Sequence, residues 1–193
     1  AVEEALRIAR RAFYTAPIKA LCNQKFYDLA GRFGKDQVGL LTGDTSIAPQ
    51  SPVVVMTTEV LRNKLYGDNS ALQDLDWVIL DEVHFLEDPY RGAVWEEVLL
   101  NLPTSVGIVA LSATVSNAHE LGDWLSAVRG PTVVIVENRR PVPLRTHYLV
   151  AERQQRSKLR RLPLLVKARP NPEGFRFDGD SRPRRNNQRQ HRR

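Results

Sequence analysis

One feature restricts this chain more than any other: short apolar runs, several rich in β-branched residues, take turns with stretches of helical periodicity. Residues 12–16 form a short apolar run, and residues 18–33 then bring Ile18, Leu21, Cys22, Phe26, Leu29 and Phe33 near one helical face. Residues 52–57, with three consecutive valines, read as a strand buried on both faces, followed by a helix over 58–65. A strand over 76–80 precedes a helix over 91–102 that carries Val94, Trp95, Val98 and Leu102 on one stripe. A strand over 106–111, a helix over 116–128 that Ser116 or Asn117 can cap, and a last strand over 132–136 complete the series. Strands alternating with helices imply βαβ units, hence an α/β fold around a mostly parallel sheet. Such sheets take ligands beyond the carboxyl ends of their strands, so chemistry is expected in the residues that follow each strand.

The alternation stops after Val136. The run Arg139-Arg-Pro-Val-Pro-Leu144 reads as extended, because each proline biases its predecessor away from helix. Residues 159–166 keep some apolar content but are cut by Pro163, and from Arg169 onward Arg, Asn, Gln, Pro and Gly dominate, a composition that cannot bury a core. The expected organisation is a folded domain over 1–137, a linker over 138–150, and a basic, largely disordered tail over 151–193. Charge divides at nearly the same place. Residues 151–193 hold 14 basic and 4 acidic residues, a net +10, so the rest of the +6 chain is net −4. A basic tail attracts phosphate backbones without reading sequence.

Several chemistries are excluded. The single cysteine, Cys22, allows neither a disulfide framework nor a multi-cysteine zinc site. No apolar run approaches the ~20 residues that span a bilayer. The chain opens Ala-Val-Glu-Glu without a basic leader segment, which sets the expected location as cytoplasmic. His119 reads as a surface helix residue, His147 and His191 have no plausible metal partners, and Trp77, Trp95 and Trp124 lie in apolar patterns that make them core residues.

The strand ends carry the chemistry-bearing residues. Asp81-Glu82-Val83-His84 follows the strand over 76–80. In a phosphate-hydrolysing site, a carboxylate at a strand tip holds Mg²⁺ through water while a neighbour orients or deprotonates the attacking water. Ser112-Ala113-Thr114 follows the next strand and offers two hydroxyls to that motif or to a phosphate. Thr15-Ala-Pro17-Ile-Lys19 opens a helix whose N-terminus presents N–H groups to an anion, with Lys19 adding charge. Thr42-Gly43-Asp44 and Thr57-Thr58-Glu59-Val-Leu-Arg62 repeat the arrangement. In the latter, Thr57 or Thr58 can cap the helix with Glu59 in support, and Arg62 is a candidate phosphate contact.

In order, Tyr14-Thr-Ala-Pro-Ile-Lys-Ala-Leu21, Thr42-Gly-Asp44, Thr57-Thr-Glu-Val-Leu-Arg62, Asp81-Glu-Val-His84 and Ser112-Ala-Thr114 resemble the first RecA-like domain of superfamily-two helicases. The likeness is above all to DEVH-box, superkiller-type RNA helicases that work with RNA exosomes, and to bacterial HelY-type relatives. Arg91-Gly-Ala-Val-Trp-Glu-Glu97 and Ser112-Ala-Thr-Val-Ser-Asn117 share it, and it covers about residues 1–148. The resemblance implies a three-layer RecA-like fold with ATP and Mg²⁺ as cofactors and RNA as partner. It assigns Asp81 to the Mg²⁺ of Mg-ATP and Glu82 to the hydrolytic water. His84 links the ATP site to the RNA face, and Ser112 and Thr114 couple hydrolysis to strand separation. Pro17, Lys19, Gly43, Thr57 and Thr58 lie along the nucleic-acid backbone.

The departures from the family pattern are as specific. The family's phosphate-binding loop, Gly-x-x-x-x-Gly-Lys-Ser/Thr, does not occur in these 193 residues. Gly34-Lys35 is followed by Asp36 where a hydroxyl residue belongs, and Leu29 stands where the first glycine would be. Residues 151–193 do not resemble the second RecA-like domain with its arginine finger. The expectation is an N-terminally truncated helicase piece, inactive alone, with an open sheet edge where the N-terminal strand is missing, an edge prone to aggregation. The alternatives are a non-enzymatic nucleic-acid-binding fragment whose tail supplies most of the affinity, and a part of a DNA helicase, since contacts to the backbone do not distinguish the two nucleic acids.

Overall fold

The computed structural model describes residues 1–67, 72–113, 117–137, 139, 142–152 and 155–174. They divide into two units, Ala1–Val136 and Glu137–Arg193. In the first unit the strands are β1 (Arg11–Ala16), β2 (Val38–Leu41), β3 (Ser46–Ile47), β4 (Val53–Thr57), β5 (Leu75–Leu80) and β6 (Gly107–Ala110). They form one sheet in the order β3-β2-β4-β1-β5-β6, parallel throughout except for β3 on β2. The helices are α1 (Val2–Arg7), α2 (Lys19–Phe33), α3 (Thr58–Tyr66), α4 (Gly92–Asn101) and α5 (Ala118–Arg129).

The period of two along the strands sorts the core into two layers. Phe13, Val54, Met56, Val78 and Leu80 pack with Leu61 of α3, Val98 and Leu99 of α4 and Leu125 of α5. Their alternating neighbours Ala12, Tyr14, Ala16, Val53, Val55 and Ile79 pack with Ala5 of α1 and with Cys22 and Ala30 of α2. The central strands are therefore buried on both faces, which is why β4 reads as an unbroken apolar run rather than an alternating one. Trp95 is fully buried, while Trp77 and Trp124 pack at the margins of the two layers.

In the first unit, β2 and β3 escape the sequence reading. In β2 a glycine interrupts the apolar run, and the structure shows why: a Cβ on Gly39 would lie 2.1 Å from the Ala48 carbonyl oxygen beyond β3. The expected strand over 132–136 is absent. Residues 131–137 make no ladder; Val133 and Ile135 are 84% and 88% exposed, and Val134 lies against Gly122 of α5. β-branched residues favour an extended backbone, but a strand also needs an edge to pair with, and β6 ends the sheet without joining this segment.

In the second unit four short strands fall within the span that the sequence reads as linker and tail. β7 (His147–Glu152) pairs antiparallel with β8 (Gln155–Pro163), and β9 (Leu165–Val166) pairs with β10 (Arg169–Pro170). Leu149 stands opposite Arg161 and Val150 opposite Arg160. Hydropathy misses this pairing because a backbone ladder tolerates charged side chains on a solvated face. Pro163 occupies the last register position of β8, where a missing N–H costs little. The expectation of disorder over 175–193 lies outside the described residues.

Candidate active site

The pleat places Asp81. It follows Leu80 of β5 and so falls on the face of Ile79, the face that Tyr14 of β1 also occupies. The buried Tyr14 hydroxyl donates to Asp81 Oδ2 at 2.6 Å, and the Glu82 N–H donates to Oδ1 at 3.0 Å. The backbone is held from both neighbouring strands. Asp81 N–H donates to the Thr15 carbonyl, Val83 N–H to the Leu111 carbonyl, and Leu111 N–H to the Leu80 carbonyl, each at 2.9 Å. Burial, followed by the bond to Asp81, raises the Tyr14 phenol far above its ordinary pKa, so it acts there only as a donor.

Glu82 adopts a left-handed backbone, φ 55° and ψ 45°, which interrupts the strand and starts a 3₁₀ turn over Val83–Glu87. Such a conformation is costly for a residue with a side chain and is found where a site over-determines it. It sets Glu82 Oε2 3.2 Å from His84 Nδ1, and the same nitrogen lies 3.3 Å from Ser112 Oγ beyond β6. Asp81, Glu82, His84 and Ser112 are thus brought together across the ends of β5 and β6. Thr114 and Ser116 lie outside the described residues. A cleft of about 280 Å³ opens beside His84, walled by Glu87, Glu96, Glu120 and Trp124.

The remaining candidates gather around the starts of α2 and α3. Lys19 Nζ lies 2.9 Å from Asp44 Oδ2, and Thr42 Oγ1 donates to Asp44 Oδ1 at 2.9 Å, so the loop bearing the exposed Gly43 is tied to α2. The bond from Lys19, then that from Thr42, lowers the Asp44 pKa. The expected side-chain cap of α3 is not formed: Thr57 is the N-cap residue without a capping bond, and Glu59 turns to Arg91 instead. Thr58 Oγ1 is buried without a partner. Pro17 is buried with its carbonyl accepting from Arg91 Nη2 at 2.6 Å. Arg62 is half-buried, donating to Asn63 Oδ1 and lying 3.8 Å from Glu97 of α4. At α5, Asn117 donates from Nδ2 to Glu120 Oε2 at 3.2 Å rather than capping a backbone N–H. The Cys22 thiol is pushed up to about 11 by burial, which keeps it protonated and inert at neutral pH.

Among the described residues no cluster of three or more His, Cys, Asp or Glu side chains could enclose a metal ion. Asp81 nonetheless fits Mg²⁺, which is habitually held by one or two carboxylates plus water and phosphate oxygens rather than by an all-protein cage. Each Asp81 oxygen accepts one hydrogen bond and keeps acceptor capacity for a hydrated cation. Sequence reasoning places Tyr14 and Arg91 inside motifs but gives neither a role. Strand alternation could have found Tyr14, since it puts that residue on the face of Asp81.

Comparison with known proteins identifies the family. Residues 1–121 match the sequence model of the DEAD/DEAH box helicases. The chain is 60% identical over 153 residues to the probable helicase HelY of Mycobacterium tuberculosis, covering 79% of this chain and 17% of that protein. It is 45% identical over 150 residues to the ATP-dependent RNA helicase mtr4 of Schizosaccharomyces pombe, covering 77% of this chain and 13% of that one. Among solved structures, Mycobacterium smegmatis helicase Lhr bound to ssDNA and AMP-PNP matches with a TM-score of 0.52 and 28% identity, over 65% of this chain and 20% of its own. The chain spans less than a fifth of the length of either curated relative. The sheet of the first unit is RecA-like. By its matched residues, its strand order and the acidic motif at the end of β5, this chain belongs to the DEAD/DEAH box helicase family.

Proposed function

We propose that this chain is the motif-bearing part of a helicase that couples ATP hydrolysis to movement along, or unwinding of, RNA in the cytoplasm. The observation that carries the reading is the convergence of Asp81, Glu82, His84 and Ser112 on one strand-end edge, with Tyr14 fixing the first of them. Mg-ATP supplies the phosphoryl group that is transferred to water. Asp81 would hold the hydrated Mg²⁺, its carboxylate oriented by the Tyr14 hydroxyl and the Glu82 N–H. Glu82 takes up the proton of the attacking water. His84, between Glu82 and Ser112, relays the state of that carboxylate to the end of β6, and Ser112 with Thr114 couples it to the nucleic-acid face. Pro17, Lys19, Gly43, Thr57, Thr58 and Arg62 lie along the nucleic-acid backbone. A phosphate approaching Lys19 competes with Asp44 for the ammonium. The name of the mtr4 relative supports RNA, while the ssDNA-bound Lhr neighbour supports a second reading with DNA.

The chain has no Gly-x-x-x-x-Gly-Lys-Ser/Thr loop. Without that cradle, affinity for Mg-ATP falls sharply, and turnover belongs to the longer protein. The test is RNA-stimulated ATP hydrolysis by this chain beside Glu82→Gln, with single-stranded RNA binding by wild type and Lys19→Ala. We expect background hydrolysis in both and RNA binding weakened several-fold by Lys19→Ala. Hydrolysis abolished by Glu82→Gln would mean that the two carboxylates work without the loop. Binding indifferent to Lys19 would leave the basic second unit as the source of affinity.

A further inference from the structure

Arg91 has no part in the chemistry proposed above, yet its guanidinium meets three separate segments of the chain. Nη2 donates to the Pro17 carbonyl at 2.6 Å. Nη2 and Nε both donate to Glu59 Oε1, Nε at 3.2 Å. The guanidinium carbon lies 5.6 Å from the ring centroids of both Phe85 and Trp95, which stack on each other at 5.5 Å. The turn leading into α4 is built to present this side chain. Asp88 Oδ1 accepts the Arg91 N–H at 2.9 Å, and the next residue is Gly92, where a Cβ would lie 2.3 Å from the Leu86 carbonyl oxygen.

Each partner stands beside a different part of the candidate site. Pro17 lies between β1 and Lys19. Glu59 is in the first turn of α3, directly after Thr57 and Thr58. Phe85 is in the 3₁₀ turn that holds His84. Arginine suits the position because a planar fork can serve a carbonyl and a carboxylate together while its face stacks on rings; a lysine ammonium cannot do all three. We propose that Arg91 is a positioning residue that ties the Pro17 segment and the first turn of α3 to the turn carrying the acidic motif, so that displacement of one is transmitted to the others. What those segments bind rests on the function proposed above; the tie itself does not.

Amide hydrogen exchange on the full chain tests it. The Cys22 N–H, bonded to the Ile18 carbonyl, reports on the first turn of α2, and the Phe85 N–H, bonded to the Glu82 carbonyl, reports on the acidic turn. Amides of β4 report global folding. Arg91→Ala should speed exchange about tenfold at Cys22, at Phe85 and in the first turn of α3, leaving β4 unchanged. Arg91→Lys keeps the charge beside Glu59 and should protect α3 while Cys22 still speeds up. Faster exchange confined to 88–94, or wild-type behaviour of Arg91→Lys, overturns the tie. Should Arg91→Ala also loosen β4, Arg91→Lys alone decides: faster exchange at Cys22 with α3 protected supports the tie, and wild-type exchange overturns it. Adding single-stranded RNA should slow Phe85 exchange in wild type but not in Arg91→Ala; slowing in both overturns transmission through Arg91. If RNA protects no amide in wild type, the nucleic-acid reading fails, and the exchange comparison without RNA still decides the tie.

Discussion

The two units hold their strands by different means. In the first, β1, β4 and β5 are covered on both faces, and residues such as Phe13, Val54, Val55 and Val78 are almost wholly removed from water. In the second, β7 and β8 are joined by a backbone ladder, yet Leu149 and Leu159 are 70% and 68% exposed. Of the second-unit side chains whose burial is described, only Leu162 and Asn171 are buried. Asn171 Nδ2 donates to the Pro163 carbonyl at 2.8 Å, a polar clasp where the first unit would use a methyl group. Apolar burial writes itself into a sequence as hydropathy, whereas a ladder between solvated strands does not. A two-stranded hairpin is also marginal without a packed face.

Substitutions can break this contrast if it is false. The largest effect should come from Trp95→Ala, which empties a fully buried site on α4 and should cost about 3–5 kcal/mol of the first unit's stability in thermal or denaturant unfolding. Trp95→Phe should cost much less, under about 1.5 kcal/mol, because the indole N–H that it removes has no hydrogen-bond partner. Leu162→Ala should leave the main unfolding transition within about 1 kcal/mol of wild type, and its loss should show as faster amide exchange in β7 and β8. An equal effect from Leu162→Ala and Trp95→Ala would erase the distinction. The smallest effect concerns pH. Asp44 titrates below its ordinary value because Lys19 and Thr42 bond its charged form. Its contribution is therefore fully present above that ordinary value and is lost as pH falls through the lowered one. The NMR shifts of Lys19 and Gly43 should follow that acid step while β4 signals stay fixed; movement of both together would mean the loop is not a separate element.

The same contrast explains what could be read from sequence. Valines 53–55 announced a strand covered on both faces, and the helix over α2 followed from the spacing of Leu21, Cys22, Phe26, Leu29 and Phe33. The acidic motif was legible because a strand tip is where a rigid carboxylate belongs. Contacts between distant segments were not legible. Glu59 reads as support for a cap by Thr57 or Thr58, but Arg91, 32 residues away, competes for it and prevails. Thr132–Val136 has the composition of a strand and lacks only a neighbour. In the hairpin of the second unit, β8 has the neighbour and lacks the composition.

Glu82 sits in a backbone conformation that glycine adopts freely and a glutamate does not. Relaxing it would return on the order of 1 kcal/mol. Any thermostability screen run without a functional readout would therefore drift toward glycine at this position. It would deliver a hardier protein stripped of the carboxylate beside His84, so an engineer working on this chain should hold residue 82 fixed before optimising anything else.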